Sequence, residues 1–318
     1  MVEILDGGIG QELIRRSCAQ EPESWANAIM VQYPAILEQI HRDYIDAGAT
    51  IITTNTYAAH ADRLEGTDMA VCDLIDLACN IAMRAADGRA VTIAGSIGPL
   101  VQSYRPDLHP EYEEAVGKYE TNVKQLLHHG CTIILIETVS STLQARAALD
   151  AVRRSSAEAR CWLSLTVDDH NPSVLRSGEA SELILPLAKA SNVEVLLVNC
   201  TAPEAMTEAL QTLQRAASTS ENYSSLRWGC YANGFTRLTS DFLREEVGQE
   251  KGSEGHTHDN TSGRDLSPAR FADYGVQWVK DCQCSVIGGC CGTTPAHIKA
   301  MAQAQALLAR GPRKEEGA

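Results

Sequence analysis

Val286-Ile287-Gly288-Gly289-Cys290-Cys291-Gly292-Thr293-Thr294-Pro295 holds one complete structural unit. A short apolar, β-branched run enters a glycine-rich loop, and Pro295 stands where a helix opens. Proline suits that place because the N–H it lacks would have had no intrahelical partner. The stretch reads as strand, loop, helix, with two thiols displayed in the loop.

Working outward, the same unit recurs. Short β-branched runs, expected as strands, fall at 2–5, 50–53, 91–94, 132–136, 161–166, 195–199, 227–231 and 284–287. Longer amphipathic stretches, expected as helices, fall between them and after the last: 34–47, 69–86, 111–129, 142–153, 180–190, 203–217, 268–281 and 295–309. In the third of these, Tyr112, Ala115, Val116, Tyr119, Val123, Leu126 and Leu127 share one face at helical spacing. Pro34, Pro203 and Pro268 open their helices as Pro295 does. Strand then helix, eight times over, reads as an α/β protein of one domain, a (β/α)8 TIM barrel over residues 1–310. A doubly wound open sheet fits less well, because Asp6-Gly7-Gly8-Ile9-Gly10 lacks the Gly-x-Gly-x-x-Gly spacing of a dinucleotide turn. Two segments interrupt the rhythm. Residues 96–110 are rich in Gly, Pro and Ser, and residues 248–267, after the seventh strand, are polar throughout. Both read as surface insertions, the second as mobile, and the charged tail 311–318 reads as disordered.

The 318 residues are 44% hydrophobic and 21% charged, enough to bury a substantial core. A formal net charge of -14 argues against a nucleic-acid partner. The longest apolar runs, such as Val195-Leu196-Leu197-Val198, fall far short of the ~20 residues of a membrane span, and Asp6 and Glu12 come too early for a signal peptide. The expectation is a cytoplasmic protein, monomeric or a small homo-oligomer. Its 11 cysteines, an odd number, point to reduced thiols rather than a disulfide framework.

In such a barrel the reactive groups sit at the carboxyl ends of the strands. Those positions carry Asp6, Thr54, Asn55, Ser96, Glu137, Asn199, Cys200, Asn233, Cys290 and Cys291. Thiolates are soft ligands suited to zinc, and a zinc site with three protein ligands keeps a position open for chemistry. Cys200 is the third thiol, because the sixth and eighth strands flank one mouth of a closed barrel. Gly288, Gly289 and Gly292 are expected to give adjacent cysteines the backbone freedom to face one ion. A glycine-rich loop after the eighth strand also suits a phosphate cradle.

Asp-Gly-Gly at 6–8, Thr-Asn-Thr-Tyr at 54–57, Glu-Thr at 137–138, Val-Asn-Cys at 198–200 and Gly-Gly-Cys-Cys-Gly at 288–292 together resemble the homocysteine S-methyltransferase family. The resemblance implies a (β/α)8 barrel with Zn2+ on Cys200, Cys290 and Cys291. It further implies that Asp6 and Glu137 hold the amino group of homocysteine, with Gly7 and Thr54 near its carboxylate. The substrate sulfur would then ionise and displace a methyl group from a positively charged donor, with no protein nucleophile. A sulfonium donor of the S-methylmethionine or S-adenosylmethionine type is the first expectation, giving methionine; betaine or another onium donor is the alternative. Tyr57 and Trp25 are candidate cation–π partners for the donor. No cobalamin or folate module and no long oligomerisation arm is visible in the sequence.

Other features carry less. His256 and His258 lie in the polar insertion, Cys282 and Cys284 read as buried, and Arg105 as an exposed charge. No lysine is placed on a strand, which argues against a Schiff-base aldolase. A non-catalytic barrel, keeping zinc for structure or sensing oxidants through Cys290 and Cys291, is the competing class; a fourth protein ligand would mark it.

Overall fold

The computed structural model describes residues 2–17, 26–60, 64, 69–219, 223–235 and 265–310. Among them, eight parallel strands run β1 (Glu3–Ile4), β2 (Ile51–Thr53), β3 (Thr92–Ile97), β4 (Ile133–Val139), β5 (Arg160–Leu165), β6 (Val195–Asn199), β7 (Arg227–Ala232) and β8 (Val286–Gly289). Each pairs with its sequence neighbour, β8 pairs β1, and a bridge between Leu5 and Ile51 joins β1 to β2. This is the expected (β/α)8 barrel. Ten α-helices wrap it: α1 (Ile9–Ser17), α2 (Ala26–Gln32), α3 (Pro34–Asp46), α4 (Val71–Ala86), α5 (Tyr112–His128), α6 (Thr142–Ser155), α7 (Ile184–Ala190), α8 (Pro203–Ser218), α9 (Pro268–Asp281) and α10 (Pro295–Arg310), counted among the described residues.

The sequence periodicities become two nested cores. Between sheet and helices, the inward helix faces pack as one cluster, with α5 contributing Ala115, Val116, Tyr119, Val123 and Leu126. Inside the barrel, Leu5, Ile51, Ala94, Ile133, Leu135, Trp162, Val195, Leu197, Tyr231 and Val286 fill the lumen. Side chains alternate faces along a strand. The inward positions therefore continue two residues at a time into Ser96, Glu137, Ser164 and Asn199 toward the carboxyl ends. An apolar floor thus carries a polar mouth.

Three expectations need correction. Helices α1 and α2 were not foreseen: they fill the first β–α connection ahead of α3, and Ile9, Leu13 and Ile14 bury the inner face of α1. Ser96 and Glu137 lie within β3 and β4 rather than after them, since the ladder continues through Ser96↔Leu135 and Ile97↔Ile136. The last strand begins at Val286 instead of 284 and extends through both glycines, which pair with Tyr231 and Ala232. The expectations for Trp25, for residues 248–264 with His256 and His258, and for the tail 311–318 lie outside the described residues. A bridge between Phe235 and Asp265 pairs the connection after β7 with the end of the expected insertion. Among the described residues no helix is long and apolar enough to cross a membrane.

Trp162 is fully buried in the lumen. Trp162→Ala is expected to destabilise the barrel by about 3–5 kcal/mol, read from urea unfolding.

Candidate metal and amino-acid site

The Sγ atoms of Cys200, Cys290 and Cys291 lie within 4.8 Å of one another, with Cys200 and Cys291 separated by 3.6 Å. Register brings them together. Asn199 pairs with Tyr231 and Tyr231 with Gly288, so the residues just past β6 and β8 stand level across β7. Cys200 leaves its strand in a left-handed conformation, φ 49°, uncommon for a residue with a Cβ. The thiol loop is bound on every side. Cys290 N donates to Ala232 O at 2.8 Å, Gly234 N to Cys291 O at 2.7 Å and Thr293 Oγ1 to Cys290 O at 2.7 Å. Gly292 N donates to the Gln11 side chain of α1, and Tyr44 OH to Thr293 O at 3.0 Å.

The glycines act differently from the expectation. Only Gly292 of the three has positive φ, 75°. Gly288 and Gly289 are required by close approach: a Cβ at 289 would stand 2.3 Å from Thr293 Oγ1, and one at 288 would stand 2.6 Å from the Leu5 Cβ.

The donor set fits a soft metal ion. Hydrogen bonds from the Cys290 and Cys291 thiols hold Cys200 well below the ordinary thiol range, helped by Tyr104 and the Arg176 charge, while Cys290 and Cys291 are raised. Three thiols this close do not ionise together without a cation. No His, Asp or Glu joins the cluster among the described residues, so the set supplies three ligands and not a closed four. Asn233, just past β7, is fully buried with neither amide atom partnered, a gap that a polar ligand would complete.

Asp6 and Glu137 form the second part of the site. Asp6 is 3% exposed and accepts from Thr53 N at 2.7 Å and Thr53 Oγ1 at 3.2 Å. Burial pushes its carboxyl well above the usual range, and Glu137 adds to the rise. Glu137 accepts from Ser96 Oγ and from Tyr231 OH at 3.0 Å. It keeps some accessible surface because it faces the open mouth, yet desolvation lifts its pKa to about 7. Neither carboxylate has an Arg or Lys partner among the described residues, so the pair presents an uncompensated acceptor for a cation.

Glu137 is aimed by a distortion. The β4–β5 ladder shifts register between Ile136 and Val139, and Thr138 sits at φ 60°, a genuine outlier for a β-branched residue. Asn199 holds it there. Its Oδ1 accepts from Thr138 N at 2.9 Å and Ser164 Oγ at 2.8 Å, while its Nδ2 donates to Thr138 Oγ1 at 2.8 Å.

The profile of the homocysteine S-methyltransferase family matches residues 3–305. The chain belongs to that family. The match spans all eight strands, β1 through β8, and the carboxyl ends that carry the thiols and carboxyls. The chain is similar to the methionine synthase of Mycobacterium tuberculosis, 30% identical over 296 residues that cover 88% of this chain and 22% of the relative. The chain thus matches about a fifth of the length of that relative. Among solved structures, the homocysteine methyltransferase MmuM of Escherichia coli in its metallated form superposes with TM-score 0.74 at 25% identity, covering 95% of this chain and 96% of that one. Its oxidised form gives TM-score 0.74 over 98% and 96%.

Around the thiols and carboxylates, this family member places the other expected residues unevenly. Gly7 lies against Thr293 and Tyr44, where a Cβ would come within 2.6 Å of Thr293 Oγ1. The Thr54 hydroxyl is committed to Thr56 at 2.7 Å and to Ser96 N at 3.0 Å. Tyr57 bonds Ser103 at 2.6 Å, and burial, then the nearby Cys200 sulfur, raise its phenol well above the usual range. Arg105 pairs with Asp107 in its own loop, and Cys282 and Cys284 are buried, Cys284 lying 3.9 Å from Cys230. The described lysines are all on helices. Tyr104, Arg176 and Tyr231 reach the site without having been marked by the sequence; only their place in strand-end loops or an inward strand register hints at it.

The raised Glu137 pKa sets a pH dependence for the metal-free protein. Its contribution to stability is fully present below the unfolded value of 4.5 and is lost as pH rises through about 7. Glu137→Gln is therefore expected to gain roughly 2–3 kcal/mol on the wild type between pH 5 and pH 8, measured by denaturant unfolding at both.

Proposed function

We propose that the chain transfers a methyl group from a sulfonium donor, of the S-methylmethionine or S-adenosylmethionine type, to the sulfur of L-homocysteine, giving methionine. Cys200, Cys290 and Cys291 would hold Zn2+, which supplies the Lewis acidity that favours an ionised substrate thiol. The observation that carries the reading is the joint placement of three convergent thiols and two desolvated carboxyls that have no counter-cation among the described residues. An amino acid with an ammonium at one end and a thiol at the other answers both.

In this reading Asp6 and Glu137 accept hydrogen bonds from the ammonium. Gly7 and Thr54 line the side of its carboxylate, and the Asn199 grip on Thr138 fixes where Glu137 aims. The substrate thiolate attacks the donor methyl in line; the new S–CH3 bond forms as the donor C–S bond breaks, and a neutral thioether leaves. The Tyr57 ring offers a π face to the onium. Trp25, the other expected donor partner, lies outside the described residues.

One assay tests this: homocysteine with a panel of sulfonium and ammonium donors, for wild type and Cys290→Ala. Methionine should form with sulfonium donors, and Cys290→Ala should lose turnover and metal together while the barrel stays folded, read by circular dichroism. Full metal occupancy in Cys290→Ala, or activity that survives metal removal, would overturn the assignment. Asp6→Asn is expected to raise the KM for homocysteine about 10- to 100-fold, the loss of one charge-assisted hydrogen bond, in steady-state kinetics.

A further inference from the structure

We propose that Tyr104 is a positioning residue for the Cys200 thiolate, acting through a hydrogen bond from its hydroxyl to the sulfur. The inference rests on the reading of Cys200 as a metal ligand. Tyr104 belongs to the long connection between β3 and α5 and reaches across the mouth to the end of β6. Its OH lies 2.9 Å from Cys200 Sγ and 3.2 Å from Cys200 O. Its own backbone is left-handed, φ 65°, a conformation that costs a bulky residue about 1–2 kcal/mol and persists only where its surroundings over-determine it.

Those surroundings are specific. The Arg176 guanidinium lies over the Tyr104 ring, 4.1 Å from its centroid, and its side chain is 10% exposed. Arg176 is anchored in turn. Nε donates to Thr166 Oγ1 at 3.0 Å, and Nη2 to Asp169 Oδ2 at 3.2 Å and to Cys200 O at 3.4 Å. Asp169 accepts from Ala202 N at 2.8 Å, so the chain of contacts closes on the segment that carries Cys200. The Cys200 carbonyl also accepts from Thr166 Oγ1 at 3.3 Å. Tyr104, Thr166 and Arg176 thus brace the left-handed turn at Cys200, and the Tyr104 hydroxyl alone among them also meets the sulfur.

The three thiols are therefore not equivalent. The Cys290 sulfur is met by the Asn199 amide at 4.0 Å, a far weaker contact than the phenol makes with Cys200. An O–H donated to a thiolate disperses its charge, so it gives less electron density to a bound cation and leaves that cation more acidic toward the substrate sulfur. Tyr104 does this at one ligand of three. It also fixes the direction from which that ligand approaches.

The test uses cobalt(II) in place of the native ion, because its thiolate-to-metal charge-transfer absorption reports electron density on sulfur. Tyr104→Phe keeps the ring and the arginine stack and removes only the hydroxyl. The band should move to lower energy as density returns to the sulfur, and, because the ligand's approach is no longer fixed, zinc should pass to a competing chelator about 10-fold faster than from wild type. Arg176→Lys, which keeps the charge but loses the planar stack, should move the band the same way. It serves as the second route if Tyr104→Phe fails to fold. A wild-type band left unmoved by a folded variant of either kind overturns the role of Tyr104 and leaves the metal reading intact. Absence of the band from cobalt-loaded wild type removes the metal reading and this inference with it.

Discussion

The register across β6, β7 and β8 is the constraint on which the site depends. Cys200 follows Asn199, Asn199 is level with Tyr231, and Tyr231 is level with Gly288. A slip of one residue in either ladder would move a thiol about 3.3 Å along the barrel and turn its side chain to the opposite face. The apolar lumen prevents this. Val195, Leu197, Tyr231 and Val286 have their inward places only in the observed register, so the packing that stabilises the barrel also sets the geometry of the thiols.

The mouth itself is costly. Two carboxyls and three thiols are held where water is scarce, with no basic side chain of the chain paired to either carboxyl among the described residues. Backbone strain is concentrated there too: Tyr104, Thr138 and Cys200, three of the residues with left-handed backbone, all border the site. Such a region stabilises the fold least when empty of cations and gains most from binding them, because each bound positive group relieves a desolvated negative one.

Much of this was legible in the sequence, and the limits are physical. Strands and barrel helices were legible because their apolar residues follow periods of two and of three to four, which packing on one face enforces. Helices α1 and α2 escaped because they lie outside the one-strand, one-helix rhythm. The cysteines and the acidic residues were legible from residue type and from the motifs that contain them. Asn199 was visible as a polar strand end, but its grip on Thr138 was not, because that depends on a bulge in a different strand. Tyr104 and Arg176 sit in long connections, where neither period applies and a side chain's destination depends on the path of the loop. The glycines 288 and 289 were legible as permissive, whereas the structure requires them for clearance against Leu5 and Thr293.

The first β–α connection is fastened to the thiol loop at the far end of the sequence. Gly8 N donates to Thr293 Oγ1 at 3.2 Å across 285 residues, and Gly292 N donates to Gln11 across 281. Contacts of such separation form late, since the loop they close must be ordered first. The loop that carries Cys290 and Cys291 is held from two sides, by the end of β7 through Cys290 N and Gly234 N, and by the first β–α connection where the ring closes. A barrel with β8 unpaired from β1 would keep the strand register that sets the thiols level but would lack the ties of Gly8 and Gln11 to their loop.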